Sequence, residues 1–351
     1  MAAVVGHPRS DSFCLTYTFR LLFVVMISLL RCTLRLSLVA IAVFTPASIL
    51  AQSKPSYLLM AVSGDVQAGS GGQWRRATTG SRLSATDQLK LGDRSYAAVV
   101  YNNTRTFELK TPGVVTMSQL SAGLGAARTS TASKYVEYVA NRTTSNRLGV
   151  NMTNLGAVER SGMSPSPLSP PKNSALSTNN VTFRWRQMVG VKSYVFSLAD
   201  DEGKELFRST TVDTSISLDL TQYNLRSGVE YAWKVANARM AGMPSDEILF
   251  NLLSEGRRTE VTQAVAEIKS ELGETESAVT CLTLAGYYAD QAMNDQAMQQ
   301  YERALQLAPD VREYRLMYAE FLSGLGMGSY ANSVLKAGGI TPPKAAKDGG
   351  K

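Results

Sequence analysis

Near residue 255 the periodicity of the chain changes, and no other feature constrains its fold as much. Before residue 250 apolar side chains recur at every second position, in short runs separated by Gly, Asp and Asn. That is the spacing of strands with a buried face. Between residues 256 and 340 the spacing becomes helical. Val261, Ala264, Val265 and Ile268 share one side, with Glu and Lys opposite. One sheet or one bundle cannot satisfy both patterns. The expected fold class is therefore multidomain β + α: an N-terminal small β domain, a central β-sandwich and C-terminal α-helical hairpin repeats. The expected boundaries are 52–128 for the first β domain and 129–177 for a connecting segment and Pro-rich linker. They continue with 178–250 for the sandwich, 256–340 for the helices and 341–351 for a flexible tail. Within the connecting segment, Tyr135, Val136, Tyr138 and Val139 suit a short helix, and Pro165, Pro167, Pro170 and Pro171 suit a stiff linker.

Residues 1–51 form a separate block with one acid, Asp11, against four arginines. Two apolar runs, Leu21–Leu30 and Leu36–Phe44, are each shorter than the roughly 20 residues a spanning helix needs. The second follows Arg31 and Arg35 and precedes Thr45–Ala51, as in a cleavable signal peptide. Met26 would give that signal a conventional length and is a possible true start. The competing reading is an anchor formed from both runs. Cleavage after Ala51 removes His7, Cys14 and Cys32. The remaining chain then has no histidine, one cysteine (Cys281), and 32 bases against 28 acids.

This arithmetic narrows the chemistry. Without histidine, Ser–His and Cys–His nucleophile pairs and Cys/His zinc sites are excluded. No phosphate-cradling Gly-x-x-x-x-Gly-Lys loop occurs. Gly69-Ser70-Gly71-Gly72 lacks the lysine and reads as a hairpin tip. The acids Asp200, Asp201 and Glu202 sit in a polar turn and read as solvated. No catalytic residue, cofactor or metal is expected. Val62-Ser63-Gly64-Asp65-Val66 reads as a short strand, and Asn102-Asn103 as the tip of a hairpin between Ala97–Tyr101 and Phe107–Leu109.

Three resemblances rest on particular residues. The first block carries Val62-Ser63-Gly64-Asp65-Val66, then Trp74, Gly80, Leu83, Asp87-Gln88-Leu89, Gly92, Ser95–Val99 and Phe107-Glu108-Leu109. Over most of its length it resembles the FecR-like periplasmic domain, with Asn102-Asn103 where that family has Asp-Gly. In the helical block Ala285, Ala297 and Pro309 recur as Ala319, Ala331 and Pro343, all at one constant offset. The run Ala297–Pro309 and its neighbours resemble a tetratricopeptide repeat, whose period matches that offset. The resemblance implies a concave groove that holds a partner segment. In the middle block Leu225, Tyr231, Trp233 and Val235 face Val181–Trp185. This resembles a fibronectin type III or immunoglobulin-like sandwich with a tyrosine corner.

The basic excess is confined to residues 52–160, which hold 13 bases against 6 acids. Arg75, Arg76, Arg82, Arg94 and Arg105 are the candidate contacts to an anionic cell-wall polymer. Tyr288 and Tyr301 are the candidate contacts to a protein partner through the tetratricopeptide-like helices. Nucleic acid is not expected as a partner of an exported chain. Membrane contact is expected only through an uncleaved N-terminal segment. The expected function is an exported, non-enzymatic binding or scaffold protein of the periplasm or cell envelope. The alternatives are a carboxylate-dependent cell-wall hydrolase and a membrane-anchored signalling regulator.

Overall fold

The computed structural model describes residues 56–122, 130–145, 148, 164–240, 244–273 and 276–341. The chain divides into two compact units, Met1–Ser53 and Lys54–Lys351. Every described residue belongs to the second. The signal-peptide reading of residues 1–51, Pro343 and the tail after Thr341 lie outside the described residues.

Among the described residues, the first β domain has eight strands: β1 (Tyr57–Ser63), β2 (Val66–Ser70), β3 (Gln73–Arg76), β4 (Arg82–Leu83), β5 (Gln88–Leu91), β6 (Tyr96–Tyr101), β7 (Arg105–Leu109) and β8 (Gly113–Thr116). A four-residue helix, α1 (Met117–Leu120), follows. The strands form two antiparallel sheets, ordered β4-β1-β6-β7 and β3-β2-β5-β8. The expected hairpin at Asn102-Asn103 joins β6 to β7, and both asparagines have positive φ. Gly71 and Gly72 likewise turn β2 into β3. Val62–Val66 is not one strand, because Gly64 (φ 81°) breaks it where the chain passes between sheets. A Cβ at Gly64 would lie 2.9 Å from the Ser95 backbone.

The first sheet is buried on both faces. Tyr57, Leu59, Ala97 and Val99 face the second sheet. Leu58, Met60, Tyr96, Ala98 and Val100 face the helices and join their core. Each such large aliphatic side chain contributes about 1.5–3 kcal/mol on burial.

Helix α2 (Thr131–Thr143) occupies part of the expected connecting segment and is capped by Ser130, which accepts from the Ser133 amide. Helices α3 (Glu255–Leu272), α4 (Ala278–Asp290), α5 (Asn294–Leu307), α6 (Arg312–Gly324) and α7 (Gly328–Ala337) complete the α region. The start of α4 is separated from that of α6 by the same interval that separates α5 from α7, and this interval is the sequence offset of the paired alanines. Ala285, Ala319, Ala297 and Ala331 are all completely buried, so small residues set the close approach at equivalent points.

The sandwich comprises β9 (Pro167–Ser169), β10 (Ser174–Leu176), β11 (Asn180–Trp185), β12 (Tyr194–Ala199), β13 (Glu205–Thr211), β14 (Ser215–Asp219), β15 (Glu230–Asn237) and β16 (Ile248–Leu252). Its sheets are β14-β11-β9 and β10-β16-β15-β12-β13. Phe183, Trp185, Phe196, Trp233 and Phe250 fill the space between them. The Tyr231 hydroxyl accepts from the Arg226 amide at 2.8 Å, closing the expected tyrosine corner. The segment read as a Pro-rich linker supplies β9 and β10. It is held because these strands bury Ser169, Ser174, Ala175 and Leu176.

The β and α regions do not stand in series. The Tyr96 and Tyr314 hydroxyls meet at 3.0 Å, and the Glu108 carboxylate accepts from the Val279 amide at 2.7 Å. That places a negative charge at the N-terminus of α4, where the helix dipole favours it. From the sandwich, Ala175 donates to the Ala292 carbonyl at 2.8 Å and Arg186 to Ser329 at 2.7 Å.

Candidate binding surfaces

The strand register of the second sheet arranges its outer face in two rows. Arg76, Gln67, Lys90 and Val114 pair in turn across β3, β2, β5 and β8. Trp74, Gly69, Gln88 and Thr116 form the next row. The opposite face of these strands carries Val66, Ala68, Leu89 and Leu91 into the core. Period-two geometry therefore forces the polar set outward.

Gly69 shapes this face. A Cβ there would stand 2.8 Å from a ring atom of Trp74, so only glycine lets the indole lie against β2. The ring stays 37% exposed. The Lys90 ammonium lies 6.0 Å from its centroid, at the limit of a cation–π contact. The Gln88 amide donates to Thr116 at 3.3 Å, and Gln67 donates to Asp65 at 3.3 Å. A shallow depression of about 600 Å³ adjoins the indole and is lined by Gln67, Trp74, Arg75, Arg76 and Asp65. An exposed aromatic face ringed by amides and cations offers stacking and anion contacts together.

The five predicted arginines do not form one patch. Arg75 and Arg76 lie on edge strand β3, and Arg76 shares the face with Trp74 and Lys90. Arg82 is on β4 and Arg105 on β7, the two opposite edges of the other sheet. Arg105 donates to the Glu271 carbonyl at 3.0 Å, and Arg82 reaches Ser56 at 3.4 Å. Arg94 sits in the β5–β6 turn with φ 53°. Trp74 was legible only as part of a motif. Its ligand-like setting depends on Gly69, its partner across a strand pair.

In the helical region α2 lies against both α4 and α6, and contacts α3 as well. It thus covers the side on which a partner segment was expected. Gly286 makes this possible, since a Cβ there would approach Tyr138 to 3.1 Å. Tyr135 packs edge-to-face on Tyr287 and donates to Asp290. Arg142 pairs with Glu320. Tyr288 is half-buried beside Tyr287. Tyr301 is 2% exposed, stacks on Tyr318 with centroids 5.3 Å apart, and has its hydroxyl pKa raised by burial. It is a core residue and presents no surface to a partner. Its position in the repeat pattern, equivalent to the fully buried Leu335, is the signal for that role.

A cleft of about 550 Å³ separates α3 from the α4–α5 hairpin, lined among others by Lys269, Glu276, Cys281, Leu284 and Gln300. Arg303 grips Glu276 with two hydrogen bonds, which hold the Glu276 carboxyl below its ordinary range. The Cys281 residue is 2% exposed, and burial pushes its thiol up to about 11, so it stays protonated and unreactive at neutral pH.

No protein-family model matches the chain, and no curated protein matches it. Similar solved structures are of fibronectin type III domains. One, the crystal structure of FN3tt, is 17% identical over 25% of this chain and 95% of that chain, with TM-score 0.18. Another, the FN1–FN3 domains of chicken CNTN1, is 14% identical over 57% of this chain and 55% of that one, with TM-score 0.21. The sandwich is therefore read from its own strand order and tyrosine corner.

Proposed function

We propose that the chain is an exported, non-enzymatic binding protein of the cell envelope, whose first β domain holds an anionic cell-wall polymer. The observation that carries this reading is the outer face of β3-β2-β5-β8. There Trp74 lies across Gly69 beside Lys90 and next to the row of Arg76 and Gln67. An indole stacks on the apolar face of a sugar ring, and the cations meet carboxylate or phosphate groups along the polymer. The FecR-like resemblance of this domain supports a periplasmic setting, with residues 1–51 as the export signal. The tetratricopeptide-like helices brace the platform from behind through the shared core. Their proposed protein partner engages the cleft beside α3, because α2 fills the inner face.

Co-sedimentation with purified cell-wall sacculi tests this. Trp74→Ala is expected to lower retention roughly tenfold, the loss typical of a central aromatic contact. Raising salt should release the protein, since exposed charges are screened beyond about 10 Å at 0.1 M. Retention that is indifferent to both would remove the reading. A photo-crosslinker at Lys269 in intact cells tests the protein partner. Deleting the helices would not, because they share a core with the first β domain.

A further inference from the structure

Strand β3 is an edge of the sheet β3-β2-β5-β8, and all four of its residues are exposed. The hairpin register fixes which of its backbone groups are already bonded. In an antiparallel pair, residues that bond to the neighbouring strand alternate with residues that do not. The Ala77 amide donates to the Val66 carbonyl at 2.8 Å. Two steps on, Arg75 pairs with Ala68, and Gln73 pairs with Ser70 at the tip. Gln73, Arg75 and Ala77 therefore bond toward β2. The amides and carbonyls of Trp74 and Arg76 point the other way, along the open edge.

Charge sets this edge apart from the others. The edge strands β8 and β14 carry no cation. On β13, Arg208 pairs with Glu205 at 3.1 Å. Arg82 on β4 reaches Ser56, and Arg105 on β7 donates to the Glu271 carbonyl. Among the described residues, the side chains of Arg75 and Arg76 have no hydrogen-bond or ion-pair partner. Residues 66–77 contain no acid, and Asp65 before them accepts from Gln67 at 3.3 Å. Being consecutive, Arg75 and Arg76 project to opposite faces of the strand.

Charges on an exposed edge oppose pairing with copies of the same strand. A second copy would bring its own Arg75 and Arg76 against this pair. The same charges select an acidic strand. We infer that an extended peptide with two consecutive acids adds to β3 as an antiparallel strand. The acids stand opposite Arg76 and Arg75, and the next residue, apolar and β-branched, stands opposite Trp74. The inference goes beyond the polymer reading and does not rest on it. The polymer meets side chains on the outer face, whereas the peptide meets backbone at the edge.

The test uses the full chain and the peptide acetyl-Thr-Glu-Glu-Val-Thr-Ile-amide. Hydrogen exchange read at single amides should slow at Trp74 and Arg76 when peptide is added. It should stay unchanged at Arg75, whose amide already bonds to β2. N-methylating the peptide at its valine, opposite Trp74, should weaken binding about tenfold. N-methylating it at the second glutamate, opposite Arg75, should change little, because that amide points to solvent. Arg75→Glu should lower affinity about fivefold. A peptide with lysine in place of its second glutamate should restore it, which a misfolded variant could not do. Equal loss from both N-methyl groups, or from neither, would overturn the inference. So would unchanged exchange at millimolar peptide. Slow exchange of both amides in the free monomer would mean an edge already covered, and would also overturn it. Self-association that slows the same amides would make a second copy the occupant, with the same consequence. None of these readouts uses sacculi, so the inference and the polymer reading fail separately.

Discussion

Ala292 and Gly326 occupy the same point in successive interhelical turns, and both lie in the left-handed region, with φ 55° and 77°. An L side chain in that region costs about 1–2 kcal/mol, while glycine loses about 0.4–1 kcal/mol more backbone freedom on folding. The first term is larger. Ala292→Gly should therefore raise stability by about 0.5–1 kcal/mol, and Gly326→Ala should lower it by a similar amount. A Cβ at Gly326 would meet nothing within 4 Å, so its effect is confined to the backbone. Denaturant unfolding followed by helical ellipticity checks both signs. Opposite signs are required, since a shared loss would mean that packing rather than φ decides. The paired alanines and their constant offset were legible in the sequence, but the left-handed turn was not, because alanine ordinarily signals helix.

Helix α2 shows where legibility stops at the next scale. Tyr135, Val136, Tyr138 and Val139 suggested a helix, but its neighbours come from residues far away in the chain. Val136, Val139 and Ala140 enter the core shared with β1 and β6, while Ala132 and Tyr135 meet α3 and α4. Strand β1 and strand β6 carried the complementary signal. Tyr57–Val62 and Tyr96–Tyr101 are nearly continuous apolar runs, as in strands covered on both sides. Read as simple alternation, they hid the face that receives the helices. The docking of α2 has a pH signature. Asp290 has its carboxyl pKa lowered, first by the hydrogen bond from the Tyr135 hydroxyl, with Lys134 adding attraction and burial opposing. A carboxyl held low in the folded state adds stability above its unfolded value of about 3.9, and the gain is lost as pH falls through the lower folded value. The Asp290 side chain is 52% exposed, so solvent weakens the interaction. Tyr135→Phe should thus cost about 0.5–1 kcal/mol at neutral pH. That deficit should shrink below about pH 4. A deficit that persists unchanged in acid would show that the hydroxyl's contribution does not depend on the charge of Asp290.

For the molecule as a whole, the unequal connection of its parts governs how it comes apart. The first β domain shares one apolar core with α2 and the α4–α7 hairpins, through Met60, Val100, Val136, Val139, Tyr314 and Met317 among others. The sandwich keeps a separate aromatic core and meets the helices through Ala175, partly buried Leu168 and hydrogen bonds such as those of Arg186 and Asn294. Cooperative units follow such cores rather than sequence order. Two of the three tryptophans, Trp185 and Trp233, lie in the sandwich core, and the third, Trp74, is already partly exposed. Tryptophan emission therefore reports the sandwich, and helical ellipticity reports the α region with the first β domain. Phe196 is fully buried between Trp185, Trp233 and Phe183. Phe196→Ala should cost the sandwich about 3–5 kcal/mol. The emission midpoint should drop well below the ellipticity midpoint, which should barely move. Coincident shifts of both probes would show that polar contacts and Ala175 couple the sandwich to the helices as tightly as a shared core does. In that case a partner gripping any one part would stabilise all of them.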